Sequence, residues 1–117
     1  MATWDDVIGF YQDLASMRET LHSSIGNTYL NIIRLLQEDS ETANTVPGTA
    51  MFTLYVALAD YDDQSVHIHW VIDTDVYAIF LTPDLDEEPD AIRVTLIEVV
   101  PTVKTFLQQL RIKRDQT

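Results

Sequence analysis

At 117 residues, 46 % of them hydrophobic, the chain is the size of one domain and can fill a core, which excludes global disorder. It has no cysteine, which excludes thiol nucleophiles, CxxC redox chemistry, zinc ribbons and disulfides. Nineteen acidic residues against seven Lys and Arg give a formal net charge of -12, which would repel a nucleic-acid backbone.

The chain opens with Thr3 as a helix N-cap and with Asp5 and Asp6 in the favourable first turn. Trp4, Val7, Ile8, Tyr11, Leu14, Met17 and Leu21 recur at helical spacing, which predicts a helix over 3–23. Ser23-Ser24-Ile25-Gly26-Asn27 reads either as a turn or as a weak point inside one long helix. Tyr29, Ile32, Ile33 and Leu36 then continue the stripe, so helix is expected to about residue 38 with an interruption near Gly26.

Residues 39–49 read as a polar loop ending in the turn signal Pro47-Gly48. From Met51 the period becomes two. Phe52, Leu54, Val56 and Leu58 alternate with Met51, Thr53, Tyr55 and Ala57, the first strand. Asp60-Tyr61-Asp62-Asp63-Gln64 reads as the next turn. Val66, Ile68, Trp70 and Ile72 define a second strand, with His67 and His69 on the other face. Asp73-Thr74-Asp75 is a short hairpin connection, Val76 to Thr82 a third strand, and Pro83 to Asp90 an acidic loop. Ile92, Val94 and Leu96 alternate as a fourth strand. Pro101 suits the first turn of a last helix, whose stripe is Val103, Phe106, Leu107 and Leu110. Short connections between consecutive strands predict a meander. The expected fold is a single α+β domain over 1–117. It has an N-terminal helix or helix pair, a four-stranded antiparallel meander, and a C-terminal helix packed on one sheet face.

Charge is distributed unevenly. Between Arg34 and Arg93 there is no Lys or Arg, and the acids there are Glu38, Asp39, Glu41, Asp60, Asp62, Asp63, Asp73, Asp75, Asp84, Asp86, Glu87, Glu88 and Asp90. After residue 100 the sign reverses, with Lys104, Arg111, Lys113 and Arg114 against Asp115. Such a chain attracts a basic partner. Solubility, or adaptation to salt, explains the same charge without any partner.

Few motifs carry chemistry. His67 and His69 share a sheet face about 7 Å apart and could hold zinc or iron if carboxylates such as Asp60, Asp62, Asp73 or Asp75 joined them. Two histidines on an exposed strand face equally need no ligand. The run Asp84 to Asp90 has the acids of a calcium loop but neither its glycine nor its terminal glutamate spacing, and Pro89 interrupts it, so it reads as a solvated loop. With glycine only at 9, 26 and 48 there is no P-loop, no G-x-G-x-x-G and no G-x-S-x-G. Tyr55, Tyr61, Trp70 and Tyr77 lie in acidic surroundings, which suits core packing or a protein interface better than base stacking.

The stretch Asp75-Val76-Tyr77-Ala78-Ile79-Phe80-Leu81-Thr82-Pro83-Asp84, followed by Ile92-Arg93-Val94-Thr95-Leu96 and a helix with Val103, Phe106 and Leu107, resembles the strand–strand–helix segment that precedes caspase-like CHAT protease domains. It covers residues 75–110, about a third of the chain. The acidic insertion at 84–90 is longer than in that pattern. Without cysteine there is no protease domain, so the resemblance implies a noncatalytic accessory or docking piece.

The expected function is a noncatalytic acidic protein-binding module. It would be an inhibitor, an immunity or anti-defence factor, a nucleic-acid mimic or a chaperone-like adaptor that engages a basic partner surface. The partner-binding candidates are Asp60, Asp62, Asp63, Asp73, Asp75, Asp84, Asp86, Glu87, Glu88 and Asp90. No catalytic residue, cofactor, nucleic acid or membrane is assigned. One alternative is a small metal-dependent enzyme or metal sensor using His67 and His69. Another is a structural dimerisation domain that pairs through the N-terminal helices. No apolar run approaches the roughly 20 residues of a spanning helix and Met1 to Asp6 has no basic n-region, so the expected location is cytoplasmic.

Overall fold

The computed structural model describes residues 2–82 and 91–116. Helix α1 (Trp4–Ala15) starts where Thr3 predicts. The Thr3 hydroxyl accepts from the Asp6 N–H at 3.2 Å, and the Asp6 carboxylate accepts from the Thr3 N–H at 3.0 Å. The helix stops at Ala15, well before residue 23. Ser16 donates its hydroxyl to Asp13 O at 2.9 Å, and Ser23 from the next helix donates to Ala15 O at 3.1 Å, so side chains satisfy the carbonyls of the last turn. Met17 therefore lies in the corner, and Met17 and Leu21 are exposed rather than part of the buried stripe.

Helix α2 (Thr20–Glu38) runs unbroken through Gly26, where an interruption was expected. Gly26 is buried at the crossing with α1. A Cβ there would stand 2.5 Å from Tyr11 O and 2.8 Å from Ala15 Cα. The glycine is a contact, not a break, and the local sequence cannot separate the two. It lets Tyr11 and Tyr29 stack, ring centroids 4.8 Å apart.

The region expected as a loop over 39–49 holds a short helix, α3 (Ser40–Ala43), and an edge strand, β1 (Val46–Ala50). Asp39 caps α3 by accepting from the Glu41 N–H at 2.9 Å. The sheet thus has five strands, not four: β1, β2 (Thr53–Leu58), β3 (Tyr61–Val71), β4 (Val76–Thr82) and β5 (Ile92–Val94), all antiparallel in sequence order. Pro47 and Gly48 hid β1 because they read as a turn. An edge strand tolerates Pro, since one of its rows of N–H groups has no ladder partner. Gly48 makes room for the Tyr55 ring, whose Cε1 would lie 2.8 Å from an added Cβ. β3 begins at Tyr61, so Asp62, Asp63 and Gln64 stand in a strand rather than a turn, while Ile72 falls in the turn after it.

Leu96 opens helix α4 (Leu96–Asp115) instead of ending β5. The Glu98 carboxylate reaches back to accept from the Thr95 N–H at 3.4 Å and from its hydroxyl at 3.0 Å. Pro101 accordingly sits inside the helix, beyond its first turn. It cannot donate to the Ile97 carbonyl, and Ile97 is exposed, so water can take that place.

Helices α2 and α4 contribute to one core against one sheet face. Leu54, Val56, Val66, Ile68, Trp70, Tyr77, Ile79 and Val94 meet Tyr29, Ile32, Ile33 and Leu36 from α2 and Val99, Val103, Phe106, Leu107 and Leu110 from α4. Full burial of a side chain such as Ile68 or Leu107 stabilises by roughly 1.5–3 kcal/mol. Among the described residues no helix is long and apolar enough to cross a membrane.

Replacing Gly26 by Ala should separate α1 from α2, because backbone atoms cannot yield as a side chain can. The gain in helix propensity, about 1 kcal/mol, opposes an overpacking cost of about 1–3 kcal/mol. Net destabilisation in urea unfolding is expected; a Gly26→Ala variant more stable than the parent would contradict the crossing.

Candidate partner-binding surface

Between Val56 and Leu58 the β2–β3 pairing slips. Val56 faces Val66, but Leu58 faces Tyr61, so β3 carries surplus residues. A bulge of this kind bends the strand and re-aims its side chains. Here it turns Asp62 and Asp63 out to solvent and leaves a depression of about 410 Å³ beside them. Val46, Pro47, Tyr55, Ala57, Ser65 and Thr82 line the rest of it. The wall is mostly apolar, with the Tyr55 ring and the hydroxyl residues Ser65 and Thr82 in it, and two carboxylates complete the lining.

The other candidate acids do not gather there. Asp60 lies in the β2–β3 turn and accepts from Arg114 Nη1 at 3.0 and 3.1 Å, which makes it a structural partner of α4. Asp73 and Asp75 sit in the β3–β4 turn at the far end of β3, roughly 23 Å away at about 3.3 Å per residue once the surplus residues of the bulge are discounted. Asp84, Asp86, Glu87, Glu88 and Asp90 lie outside the described residues.

The cations of α4 are partly exposed and are engaged by side chains of other elements. Lys104 meets Asp39 at 3.0 Å and Glu41 at 3.8 Å, Arg111 meets Glu41 at 3.4 Å, and Lys113 donates to Gln64 at 2.7 Å. The Lys104 ammonium holds the Asp39 carboxyl below its usual range, and Asp39 in turn raises the pKa of Lys104. Asp60 and Asp115 raise that of Arg114. The basic C-terminal segment is thus tied to α3 and the β2–β3 turn. Asp62, Asp63, Asp73 and Asp75 have no ion pair among the described residues.

His67 and His69 share the sheet face turned away from α4, as their alternation predicts, but each is occupied. His67 is layered between Tyr55 and Phe80, with centroids 5.1 and 5.5 Å away, and its Nε2 lies 3.2 Å from Ser65 Oγ. The three rings share one row of the pairing register. His69 Nδ1 is 3.1 Å from Thr53 Oγ1. Among the described residues no three His, Asp or Glu side chains are grouped to hold a metal ion. Burial lowers the pKa of His67 below its ordinary 6.5.

The acids at the bulge were legible in the sequence as charge. The pocket wall was not, because it depends on β1, which read as loop, and on a register slip with no local signature. Comparison with protein-family models, with curated proteins and with solved structures finds no match to this chain.

Because the folded protein disfavours the protonated His67 ring, its contribution to stability is full above pH 6.5 and is lost as the pH falls through the lowered folded value. Urea unfolding at pH 7.5 and 5.5 should show a loss in the parent and a smaller one in His67→Phe. Equal losses in both would contradict a lowered pKa at this ring.

Proposed function

We propose that the chain is a noncatalytic protein-binding module that receives a basic surface of a partner at the β2–β3 bulge. The observation that carries this reading is the contrast between the spent and the free charges. The cations of α4 are engaged within the chain, whereas Asp62 and Asp63 are exposed and have no ion pair among the described residues. They flank a depression large enough for a long side chain, with the Tyr55 ring as part of its wall. An arginine or lysine would find carboxylates for its head group, an aromatic face for the cation and apolar surface for its stem.

The formal charge of -12 adds long-range steering of a basic partner. Inhibition, immunity, nucleic-acid mimicry and chaperone-like adaptation all need this kind of surface, and the partner's identity would choose among them.

Affinity capture from the native host at low and high salt would supply the partner, and Asp62→Asn/Asp63→Asn tests the site. Both residues are exposed, so the fold should survive. At low salt the double variant should associate about 3–10-fold more slowly than the parent, and the difference should vanish near molar salt, where charges beyond about 3 Å are screened. Equal association rates at low salt would leave the charge as a matter of solubility alone.

A further inference from the structure

The opposite end of the sheet carries a surface that the bulge does not use. At the tip of the β1–β2 hairpin Met51 has φ 56° and is 91 % exposed. An unbranched but bulky side chain is strained there, and such hairpin tips ordinarily carry Gly, Asn or Asp. Phe52 and Ile72, each more than two-fifths exposed, join Met51 around an apolar groove of about 220 Å³ floored by Ile25 and Trp70. Single exposed apolar residues need no explanation. Three around one groove, one of them on strained backbone, form a hot-spot arrangement.

Charge selects the occupant. A second copy of the chain brings another -12 and is repelled. Asp73 and Asp75 follow Ile72 directly, both exposed and without an ion pair among the described residues. Arg18 shares an adjoining depression with Asp73 but makes no ion pair with it. A segment with one apolar face and flanking Lys or Arg complements this surface.

We propose that Met51, Phe52 and Ile72 form a docking groove for a basic amphipathic segment of a partner protein, its apolar side chains seated in the groove and its cations against Asp73 and Asp75. The groove is independent of the bulge, since the length of β3 lies between them.

A synthetic amphipathic helix of leucine and lysine is the probe, and the methyl signals of isotopically labelled methionine are the readout, the chain having three methionines. The Met51 signal should shift saturably. Binding should weaken at least about tenfold when alanine replaces leucine in the probe, and likewise in Asp73→Asn/Asp75→Asn. Met51→Asn, which suits a positive φ, should raise the Tm while weakening binding at least about tenfold, read from the fluorescence anisotropy of a dye-labelled probe. Absence of a saturable shift, equal affinity for the alanine probe, an unchanged affinity in Met51→Asn, or a Met51 shift driven by protein concentration alone would each overturn the proposal. Asp62→Asn/Asp63→Asn should leave this binding intact, so failure of the groove and failure of the bulge site are told apart.

Discussion

The hydroxyl of Tyr29 joins the helical layer to the sheet near the end of β3, where β2 no longer runs opposite. β3 extends past the start of β2: Ile68 still faces Leu54 of β2, whereas Trp70 faces Tyr77 of β4 but has no β2 residue in register with it. Tyr29 donates to Ile68 O at 3.0 Å and accepts from the Trp70 N–H at 2.9 Å. A buried backbone group left unpaired costs about 1–3 kcal/mol, and the hydroxyl offsets such a loss at the Trp70 N–H. Tyr11, stacked on Tyr29, donates its own hydroxyl to Phe52 O at 3.0 Å and so fixes the hairpin tip. Burial raises the pKa of both phenols, so both stay protonated and able to donate. The pair depends on Gly26, which brings α1 against α2.

What the surface can do follows from this side-selective packing. With α2 and α4 on one sheet face, the Tyr55–His67–Phe80 row is left on the other. The bulge ends that row in an acidic depression at one end of β3, and the hairpin tip places apolar side chains at the other. Ion pairs between α4 and the α3 and β2–β3 segments consume cations that would otherwise neutralise those acids. These pairs are partly exposed, so each adds little to stability. Their larger effect is to leave no cation of α4 paired with Asp62 or Asp63 among the described residues, while Arg18, Arg34 and Arg93 stay exposed elsewhere.

The sequence disclosed the helix stripes, the alternation over Val66 to Trp70 and the whole of β4, because burial imposes a period there. It disclosed the acids but not their grouping. Asp60 looked equivalent to Asp62, yet its partner Arg114 lies 54 residues away, a distance at which no spacing rule applies. β1 was hidden by Pro47 and Gly48, residues that mark turns in most settings and an edge strand and a ring contact here. Gly26 was misread for the same reason: a glycine that permits a close contact has the same local signature as one that permits a break. Met51 fitted the strand alternation, and only the backbone geometry shows it at a strained tip.

Amide hydrogen exchange in Tyr29→Phe tests most directly whether this hydroxyl holds the two layers together. The ring remains to fill the core, so only the hydrogen bonds are removed. The Trp70 amide should exchange about tenfold faster or more, relative to the amides of Val66 and Leu81, which face each other across β3 and β4 at the other end of the sheet. If Trp70 keeps its protection relative to those two amides, the hydroxyl does not anchor the strand end, and the placing of the hairpin tip needs another cause.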